Sequence, residues 1–521
     1  MKVLLISPYY PDTFWSLRHA VRFSPAKASF PPLGLLTVAA MLPADWPKKL
    51  VDLNVESLTD AHLEWADVAF VSAMTIQSAS TDEVVLRCKQ RGLRVVAGGP
   101  HYSRQLDHCE PPDHMVLGEA EEIVPELVRD LLSGQAKPTY RADEFPDVTQ
   151  SPPPLWELVD MTQYADMSIQ FTRGCPFTCD FCDVVLFSGH RPRLKTVAQI
   201  IAEMDALYQA GWRGEVMFVD DNFIGQPFKT KELLRAVVDW QRAHRYPFWF
   251  VTQASLNLAG DPELLSLMSQ SDFKKVFIGI ETTSLPSLDE CGKLQNQGRD
   301  LIQAVHAIQQ SGMEVLAGFI VGFDMDPPTV FDDQVRMIQE AGIPAAMIGL
   351  LSAPPGTPLW HRLEKEGRLL GLPSGDNAMD TNALNFTPKM GRETLVAGYR
   401  SMAERLYQPQ AYFDRVLTFF ANYRPNGHPA IRLSVADQIR SVFNILWVMG
   451  VKDPDRRAFW RFIGTVLRKH RHLFTETIIA ATFGYHFCKI ARRFLETKQD
   501  EFETVFPRVP AGAVSGCCST K

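Results

Sequence analysis

Short apolar runs alternate with longer amphipathic segments along much of the 521-residue chain, and this alternation restricts the fold more than any other feature. Runs that are brief, rich in Val, Leu and Ile and bounded by turn residues predict buried strands. In the N-terminal part these runs are KVLLISP (2–8), KLVDLN (49–54), DVAFVSA (67–73), RVVAGGP (94–100) and HMVLGE (114–119), with predicted helices at 32–42, 81–92 and 119–132. The pattern predicts an α/β domain over residues 1–140, built on a doubly wound parallel sheet.

A Pro-rich segment, FPDVTQSPPPLWEL (145–158), interrupts the alternation and predicts a linker over residues 141–160. Six longer units follow, each a strand candidate and then a helical pattern. The strand candidates are 168–175, 215–223, 248–256, 275–282, 314–324 and 345–356. Six repeated units predict a partial (β/α)6 TIM-like barrel over residues 161–370, with its chemistry at the carboxyl ends of the strands.

The remainder of the chain has a different pattern. A loop rich in Pro, Gly and Asn (372–389) precedes long amphipathic segments, so we expect a helical C-terminal domain over residues 371–505. The last residues, 506–521, have the composition of a disordered tail. The complete prediction is an α/β chain with three folded parts and a tail.

Composition restricts the cellular setting. The chain is 46% hydrophobic and 22% charged, as in soluble globular proteins, and it has no apolar run long enough to span a bilayer. The first strand begins at Lys2, which leaves no room for a signal peptide, so we expect a cytoplasmic protein. Nine cysteines without a regular framework, Cys88, Cys109, Cys175, Cys179, Cys182, Cys291, Cys488, Cys517 and Cys518, favour reduced thiols and metal binding over disulfides.

The stretch FTRGCPFTCDFCD (171–183) carries three of these cysteines, Cys175, Cys179 and Cys182, directly after the first predicted barrel strand. A structural zinc site closes with four ligands, which here would require Cys291 or a histidine. An iron–sulfur cubane needs one thiolate per iron, so three cysteines leave one iron open to a substrate. The position at the catalytic end of a barrel favours the cluster.

At these residues the chain resembles the radical S-adenosylmethionine superfamily, in which the open iron of a 4Fe-4S cluster binds S-adenosylmethionine. The resemblance implies that an electron from the cluster cleaves this molecule into methionine and a 5′-deoxyadenosyl radical. It also implies cofactor-binding roles for residues at the ends of later strands: Asp220, Asp221 and Asn222 towards the methionine amine, Glu281 towards the ribose, and Gly318 and Gly322 beside the adenine. Asp220-Asp221-Asn222 stands where the family usually carries Gly-Gly-Glu.

An α/β domain joined to such a barrel by a Pro-rich linker resembles the cobalamin-binding branch of the superfamily. No GxGxxG follows the first strand, so a dinucleotide is disfavoured in this domain. Cobalamin would lie on the carboxyl edge of the sheet, where the candidate residues are Ser72, Thr75, Gln77, Gly98, Gly99 and Glu119. The DxHxxG motif that supplies a cobalt ligand elsewhere is missing, so we expect base-off cobalamin, with His101 in a solvent-facing loop.

The helical C-terminal part resembles the extra domain of a subgroup that includes hopanoid methylases. The implied activity is cobalamin-dependent C-methylation of an unactivated carbon, with a lipid or another apolar metabolite as the expected substrate and flavodoxin or ferredoxin as electron donor. Cyclisation, rearrangement or carbon–carbon coupling with the same cofactors is the first alternative, and a non-catalytic cobalamin or redox sensor is the second. No residue is predicted to act as a catalytic acid, base or nucleophile, and Cys291 is interpreted as structural.

Charge is distributed unevenly along the chain. Residues 401–521 hold 18 Lys and Arg against 10 Asp and Glu, a net charge of +8, while the remainder holds 35 against 50, a net charge of −15. Large apolar residues stand among these cations, which is typical of helices that lie on anionic lipid at the inner face of a membrane. Ordinary surface helices whose long cations extend into solvent are the alternative. Nucleic acid is not an expected partner, and the sequence does not indicate an oligomeric state.

Overall fold

The computed structural model describes residues 1–103, 111–376, 378–426 and 435–497, with side chains omitted at 435–437. Within these residues the chain forms two parallel sheets followed by a helical region, in the predicted order. Cys109, Cys517, Cys518 and the predicted tail lie outside the described residues.

The first sheet consists of six parallel strands in the order β2-β1-β3-β4-β5-β6. The strands are β1 (Val3–Ser7), β2 (Lys48–Asp52), β3 (Val68–Ser72), β4 (Arg94–Gly98), β5 (His114–Leu117) and β6 (Thr139–Arg141). The helices of this part are α1 (Arg18–Val21), α2 (Leu33–Met41), α3 (Asp60–Trp65), α4 (Ser78–Gln90), α5 (Pro100–Ser103) and α6 (Ile123–Ser133). The predicted doubly wound sheet is confirmed.

Strand β1 shows why the sheet must be covered on both faces. Val3 and Leu5 belong to the apolar cluster on one face, and Leu4 and Ile6 belong to the cluster on the other. Since successive side chains of a strand point to opposite faces, a continuous apolar run is stable only between two helical layers. Sequence reasoning missed the edge strand β6, because only Tyr140 of its three residues is buried.

The second sheet is also parallel, in the order β14-β13-β12-β11-β10-β7. Its strands are β7 (Met167–Ile169), β10 (Gly214–Phe218), β11 (Phe248–Ala254), β12 (Phe273–Glu281), β13 (Glu314–Val321) and β14 (Ala346–Leu350), with a separate antiparallel hairpin of β8 (Thr172–Arg173) and β9 (Arg193–Leu194). In the described residues β7 and β14 are the sheet's edges and do not pair, so the barrel is incomplete. This matches the predicted partial barrel of six units.

Helices follow the strands of this part along the chain. They are α7 (Val184–Ser188), α8 (Val197–Gln209), α9 (Pro227–Ala243), α10 (Pro262–Gln270), α11 (Leu285–Glu290), α12 (Leu301–Gln310), α13 (Val330–Ala341) and α14 (Pro358–Lys365). Along β12, Val276, Ile278 and Ile280 are fully buried, while Phe277 and Gly279 on the other face are partly exposed. The second group therefore lines the concave face of the barrel.

The first barrel strand is shorter than the predicted 168–175. The Asp220 carboxylate accepts hydrogen bonds from the backbone N–H groups of Phe171 and Thr172, at 2.8 and 3.0 Å. These two groups would otherwise continue the ladder, so the chain leaves the sheet after Ile169 and enters the β8–β9 hairpin. The hairpin carries the start of the three-cysteine stretch.

The C-terminal region is helical as predicted. It contains α15 (Arg392–Tyr407), α16 (Pro409–Asn422), α17 (Val435–Trp447), a π-helical turn (Val448–Lys452), α18 (Arg456–Lys469) and α19 (Phe474–Glu496). Among the described residues no helix combines the length and the apolar character that crossing a membrane requires. Helix α19 packs against the N-terminal α1, while α15 and α16 pack against α13 of the barrel, so this region contacts both sheet-containing parts of the chain.

Candidate functional site

The three cysteines lie in one loop that the backbone holds firmly. Cys175 N–H donates to the carbonyl oxygen of Gly189, at 3.2 Å, and Cys182 N–H donates to that of Cys179, at 3.1 Å. Gly174 has φ +98°, and a Cβ there would lie 2.7 Å from the carbonyl oxygen of Ser188, so only glycine fits before the first cysteine. The thiols are close enough to interact electrostatically, Cys175 with Cys179 and Cys179 with Cys182.

Asp220 and Asp221 follow β10 and bind the backbone of the cysteine-bearing segment. Besides the two bonds of Asp220 described above, Asp221 accepts a 2.8 Å hydrogen bond from the N–H of Gly174. Asp220 is fully buried, and this burial raises its carboxyl pKa to about 8. Both carboxylates thus position the loop, and direct contact of either with S-adenosylmethionine stays a prediction.

Asn222 lies closer to the cysteines. Its amide lies beside the Cys175 thiol, and its Nδ2 donates to the Ser255 hydroxyl at 3.2 Å. Its Oδ1 is buried and accepts no hydrogen bond from any residue that the structure describes. Since a buried acceptor without a partner is costly, a donor such as an ammonium group fits this position.

A largely buried cation, Lys293, faces the three thiols. Lys293 Nζ donates to Glu281 Oε1 at 2.6 Å, and Lys293 interacts electrostatically with all three cysteines. Burial alone would lower the pKa of the Lys293 ammonium, but the charges of Glu281 and Cys179 outweigh it and the pKa is raised. Three thiolates accompanied by a fixed cation suit an anionic iron–sulfur cluster. Sequence reasoning missed Lys293, because it lies in a loop beyond the strand and belongs to no motif.

Glu281, predicted to meet the ribose, ends β12 with φ +67°, a conformation that is unusual for glutamate. Gly318 lies in β13, where a Cβ would approach the Phe277 ring to 3.1 Å, and Gly322 follows the strand with φ +114°. The Phe181 ring, between the second and third cysteines, packs edge-on against Phe323 at 6.0 Å. The structure therefore brings these residues to the mouth of the barrel, and their contacts with the cofactor stay predictions.

The candidate cobalamin residues meet at the carboxyl edge of the first sheet. Ser72 pairs with Gly98 across β3 and β4, and a Cβ at Gly99, which has φ +92°, would lie 2.8 Å from the Ser72 hydroxyl. Gln77 Nε2 donates to the carbonyl oxygen of Pro8 at 2.6 Å, and a Cβ at Gly375, which follows the barrel in the chain, would lie 2.9 Å from the Thr75 side chain. The edge lies against the second part of the chain through Glu119, as expected where an open parallel sheet binds its ligand at the carboxyl ends of its strands.

The expected solvent-facing position of His101 is wrong. His101 is only 4% exposed, and its backbone N–H donates to the carbonyl oxygen of Ala73 at 3.0 Å. The cause is local, because Gly99 turns the chain back over the strand end and α5 begins at once. Cys291 is fully buried, as expected of a structural cysteine.

Glu119, predicted to bind cobalamin, joins the two sheet-containing parts. Its Oε2 accepts from Arg173 at 2.5 Å and from Arg193 at 3.0 Å, and Arg173 also pairs with Glu121 at 2.8 Å. Both arginines belong to the hairpin that leads into the cysteine loop. These largely buried pairs hold this loop against the edge of the first sheet, and a contact between Glu119 and cobalamin stays a prediction.

The concave face of the barrel has an apolar floor. Trp15, from the segment between β1 and α2, donates through Nε1 to the sulfur of Met347 at 2.9 Å and packs edge-on against Phe277 at 5.5 Å. Beneath it, Phe14 stacks on Phe487 of α19, with ring centroids 4.3 Å apart. Sequence reasoning missed Trp15, since the contact joins residues more than three hundred positions apart.

Comparisons with known proteins agree with this arrangement. Family models described as "B12 binding domain", "Radical SAM superfamily" and "Domain of unknown function (DUF4070)" match residues 21–128, 169–338 and 357–500. An uncharacterised methyltransferase of Synechocystis sp. is 39% identical over 94% of this chain and 91% of its own length. The hopanoid C-2 methylase of Rhodopseudomonas palustris is 34% identical over 88% of each chain.

Among solved structures, the cobalamin-dependent S-adenosylmethionine radical enzyme OxsB, with aqua-cobalamin and S-adenosylmethionine bound, shares the fold. Its TM-score is 0.59 at 14% identity, over 97% of this chain and 82% of that chain. The thiol triad with its largely buried cation, and the carboxyl edge of the first sheet, fit the cofactors that this family requires. The chain belongs to the cobalamin-binding radical S-adenosylmethionine enzymes, the family that includes the hopanoid methylases, and its cofactors are a 4Fe-4S cluster, S-adenosylmethionine and cobalamin.

Proposed function

We propose that this chain is a C-methyltransferase that acts on an unactivated carbon of an apolar, lipid-like substrate. The observation that carries the proposal is the largely buried ion-pair contact of Glu119 with Arg173 and Arg193, which holds the cysteine loop against the edge proposed for cobalamin. One substrate carbon can meet both cofactors only if these two surfaces stay together.

The cofactors supply the chemistry: when bound, the cluster with S-adenosylmethionine removes a hydrogen atom, and methylcobalamin delivers the methyl group. In this proposal Cys175, Cys179 and Cys182 hold the cluster. Lys293 and Glu281 place a fixed charge pair beside it, and the free acceptor of Asn222 receives the methionine amine. No acid, base or nucleophile of the chain is needed for transfer to an unactivated carbon.

The apolar floor supports an apolar substrate. Trp15, Phe277 and Met347 present two aromatic rings and a thioether to the concave face. Such a surface recognises area and shape rather than charge. The 34% identity to a hopanoid C-2 methylase gives independent support for a lipid-like substrate.

Product analysis tests the methyltransferase proposal. The reconstituted chain would be incubated with a reductant, S-adenosylmethionine carrying a deuterated methyl group, and a lipid extract from a strain that lacks the gene. We expect 5′-deoxyadenosine, S-adenosylhomocysteine and a lipid that has gained the labelled methyl group. Deoxyadenosine without homocysteine would instead indicate cyclisation, rearrangement or coupling, and neither product would indicate a non-catalytic binder.

A substitution at the first sheet tests the position of cobalamin. Ser72 is partly exposed at the end of β3, so Ser72→Trp adds a large side chain on the surface where the corrin would lie. We expect the corrinoid absorption to fall at least ~10-fold while iron content is retained, because the added side chain blocks the ligand without touching the cysteine loop. Leu132→Trp, at an exposed site of α6, is the control. Equal corrinoid content in both variants would contradict the assigned edge.

Substitution of Trp15 tests the floor. Removing this ring should loosen substrate positioning, so that Trp15→Ala raises the ratio of 5′-deoxyadenosine to methylated product by about 10-fold. Trp65→Ala, in α3 of the first part, removes a ring that packs with Lys49 and should leave the ratio unchanged. An unaltered ratio in the Trp15 variant, with its fold intact, would exclude a substrate role for the floor.

Two further features complete the proposed function. The cluster requires an external electron, for which a flavodoxin or ferredoxin is the proposed donor. A lipid-like substrate resides in membranes, and the net charge of +8 on residues 401–521 supports peripheral contact with an anionic bilayer.

A further inference from the structure

Helix α17 has two apolar faces, and only one of them is packed. On the packed face, Ile445 of α17 is buried, and so is Met449 of the π-helical turn that follows it. The opposite face carries four large apolar side chains at intervals of four residues: Ile439 (66% exposed), Phe443 (69%), Trp447 (47%) and Val451 (51%). Residues spaced in this way lie on one side of a helix. A helix that is apolar on both sides needs a second apolar environment.

The stripe continues onto the next helix. The Trp460 indole of α18 donates through Nε1 to the carbonyl oxygen of Gly450 at 2.9 Å, and it is 47% exposed. Lys452 lies over the Trp447 ring, at 5.5 Å from its centroid. The indoles of Trp447 and Trp460 and the ammonium group of Lys452 therefore place polar groups beside the apolar side chains of the stripe. This is the arrangement found where side chains enter the interface of a bilayer.

Most of the charges beside the stripe are positive, although Asp453 and Asp455 lie between Val451 and α18 and Asp455 pairs with Arg492. From Arg456 to Leu473 the sequence holds six cations, Arg456, Arg457, Arg461, Arg468, Lys469 and Arg471, and no Asp or Glu. None of these six forms an ion pair with a residue that the structure describes, whereas many cations elsewhere in the chain are paired. Unpaired cations around an apolar stripe are complementary to a surface that is apolar inside and anionic outside.

We propose that Ile439, Phe443, Trp447, Val451 and Trp460 enter the interfacial layer of an anionic lipid membrane, with Arg457 and Arg461 on the lipid phosphates. This surface will be called the α17 stripe. The contact is peripheral, since no described helix could span the bilayer. This proposal rests on the membrane contact of the proposed function and assigns that contact to a definite surface. Its test measures membrane binding and not methylation, so the membrane proposal and the methyltransferase proposal can fail independently.

Vesicle flotation with the full chain tests the α17 stripe. We expect the protein to float with vesicles of phosphatidylcholine and phosphatidylglycerol, and at least ~10-fold less of it to float with phosphatidylcholine alone. Binding should fall as salt is raised, because the phosphate contacts are screened. Ile439→Ser with Phe443→Ser should reduce binding at least ~10-fold, since two exposed apolar side chains lose their burial in lipid.

Matched controls separate the stripe from general effects. Phe228→Ser with Leu285→Ser removes two similarly exposed apolar residues from the barrel and should leave flotation unchanged. Arg457→Glu with Arg461→Glu should reduce binding at least ~10-fold, whereas the same charge change at exposed Arg94 and Arg129 of the first part should not.

Two results would overturn the inference. One is wild-type protein that stays at the bottom of the gradient at low salt. The other is a wild-type dimer that Ile439→Ser with Phe443→Ser converts to a monomer without any change in flotation, which would make the stripe a contact between two copies of the chain. Thermal melting of each variant checks the fold, and exposed positions such as these should shift it little.

Discussion

The Cys179→Ala variant should purify without a 4Fe-4S cluster and should cleave no S-adenosylmethionine. Each of three irons takes its own thiolate, so two remaining cysteines cannot hold the cubane. Cys179 is the most buried of the three, and the largely buried cation Lys293 interacts with its thiol. Alanine therefore removes a ligand and leaves the cation facing an empty position. Iron analysis, the visible absorption of the cluster and the yield of 5′-deoxyadenosine measure the result.

Cys291→Ala is the matched control, because Cys291 is a cysteine that lies beside the cysteine loop. Its carbonyl oxygen accepts a hydrogen bond from the backbone N–H of Asp180, which belongs to that loop. Its thiol is buried, and the cluster does not require it. We expect this variant to keep its iron and its cleavage activity, with at most a modest loss of stability. Loss of metal in both variants, with zinc instead of iron in the wild type, would favour a four-cysteine structural site and would overturn the cluster.

The alternation of strands and helices could be predicted from the sequence because the buried strands have a strong local signal. Val3, Leu4, Leu5 and Ile6 are all buried, and a run of this kind fits only a parallel sheet that is covered on both faces. The break after Ile169 could not be predicted in this way. It depends on the carboxylate of Asp220, which arrives from the next strand and takes two backbone donors.

The residues of the candidate site also fall into two groups, those that local sequence could predict and those that only the tertiary fold brings to the site. Cys175, Cys179 and Cys182 are adjacent in sequence and their spacing carries their chemistry, so the motif could be read directly. Lys293 and Trp15 reach the site only through the tertiary fold. Glu119 was predicted from its position at a strand end, but the sequence could not indicate that arginines of the β8–β9 hairpin would engage its carboxylate.

The Glu119→Gln variant should uncouple the two cofactors. The carboxylate pairs with Arg173 and Arg193, and the three side chains are only 11%, 16% and 19% exposed. Removing one partner of a largely buried pair leaves the other charge uncompensated, at a cost of about 2–3 kcal/mol here. Arg173 retains Glu121, so the loss falls mainly on Arg193. The cysteine loop should then separate more often from the cobalamin edge, and the ratio of 5′-deoxyadenosine to methylated product should rise at least ~10-fold.

Two further variants decide what Glu119 does. Glu126→Gln makes the same change in the same part of the chain, at a carboxylate whose partner Lys137 is well exposed, so its effect should be negligible. If Glu119 acts through the hairpin, Arg193→Met should raise the product ratio in the same way, and the double variant should add little to either single change. If Glu119 instead binds cobalamin, Glu119→Gln should lower the corrinoid content while Arg193→Met leaves it unchanged. Additive effects on the product ratio, or a loss of corrinoid confined to Glu119→Gln, would therefore contradict the interdomain role.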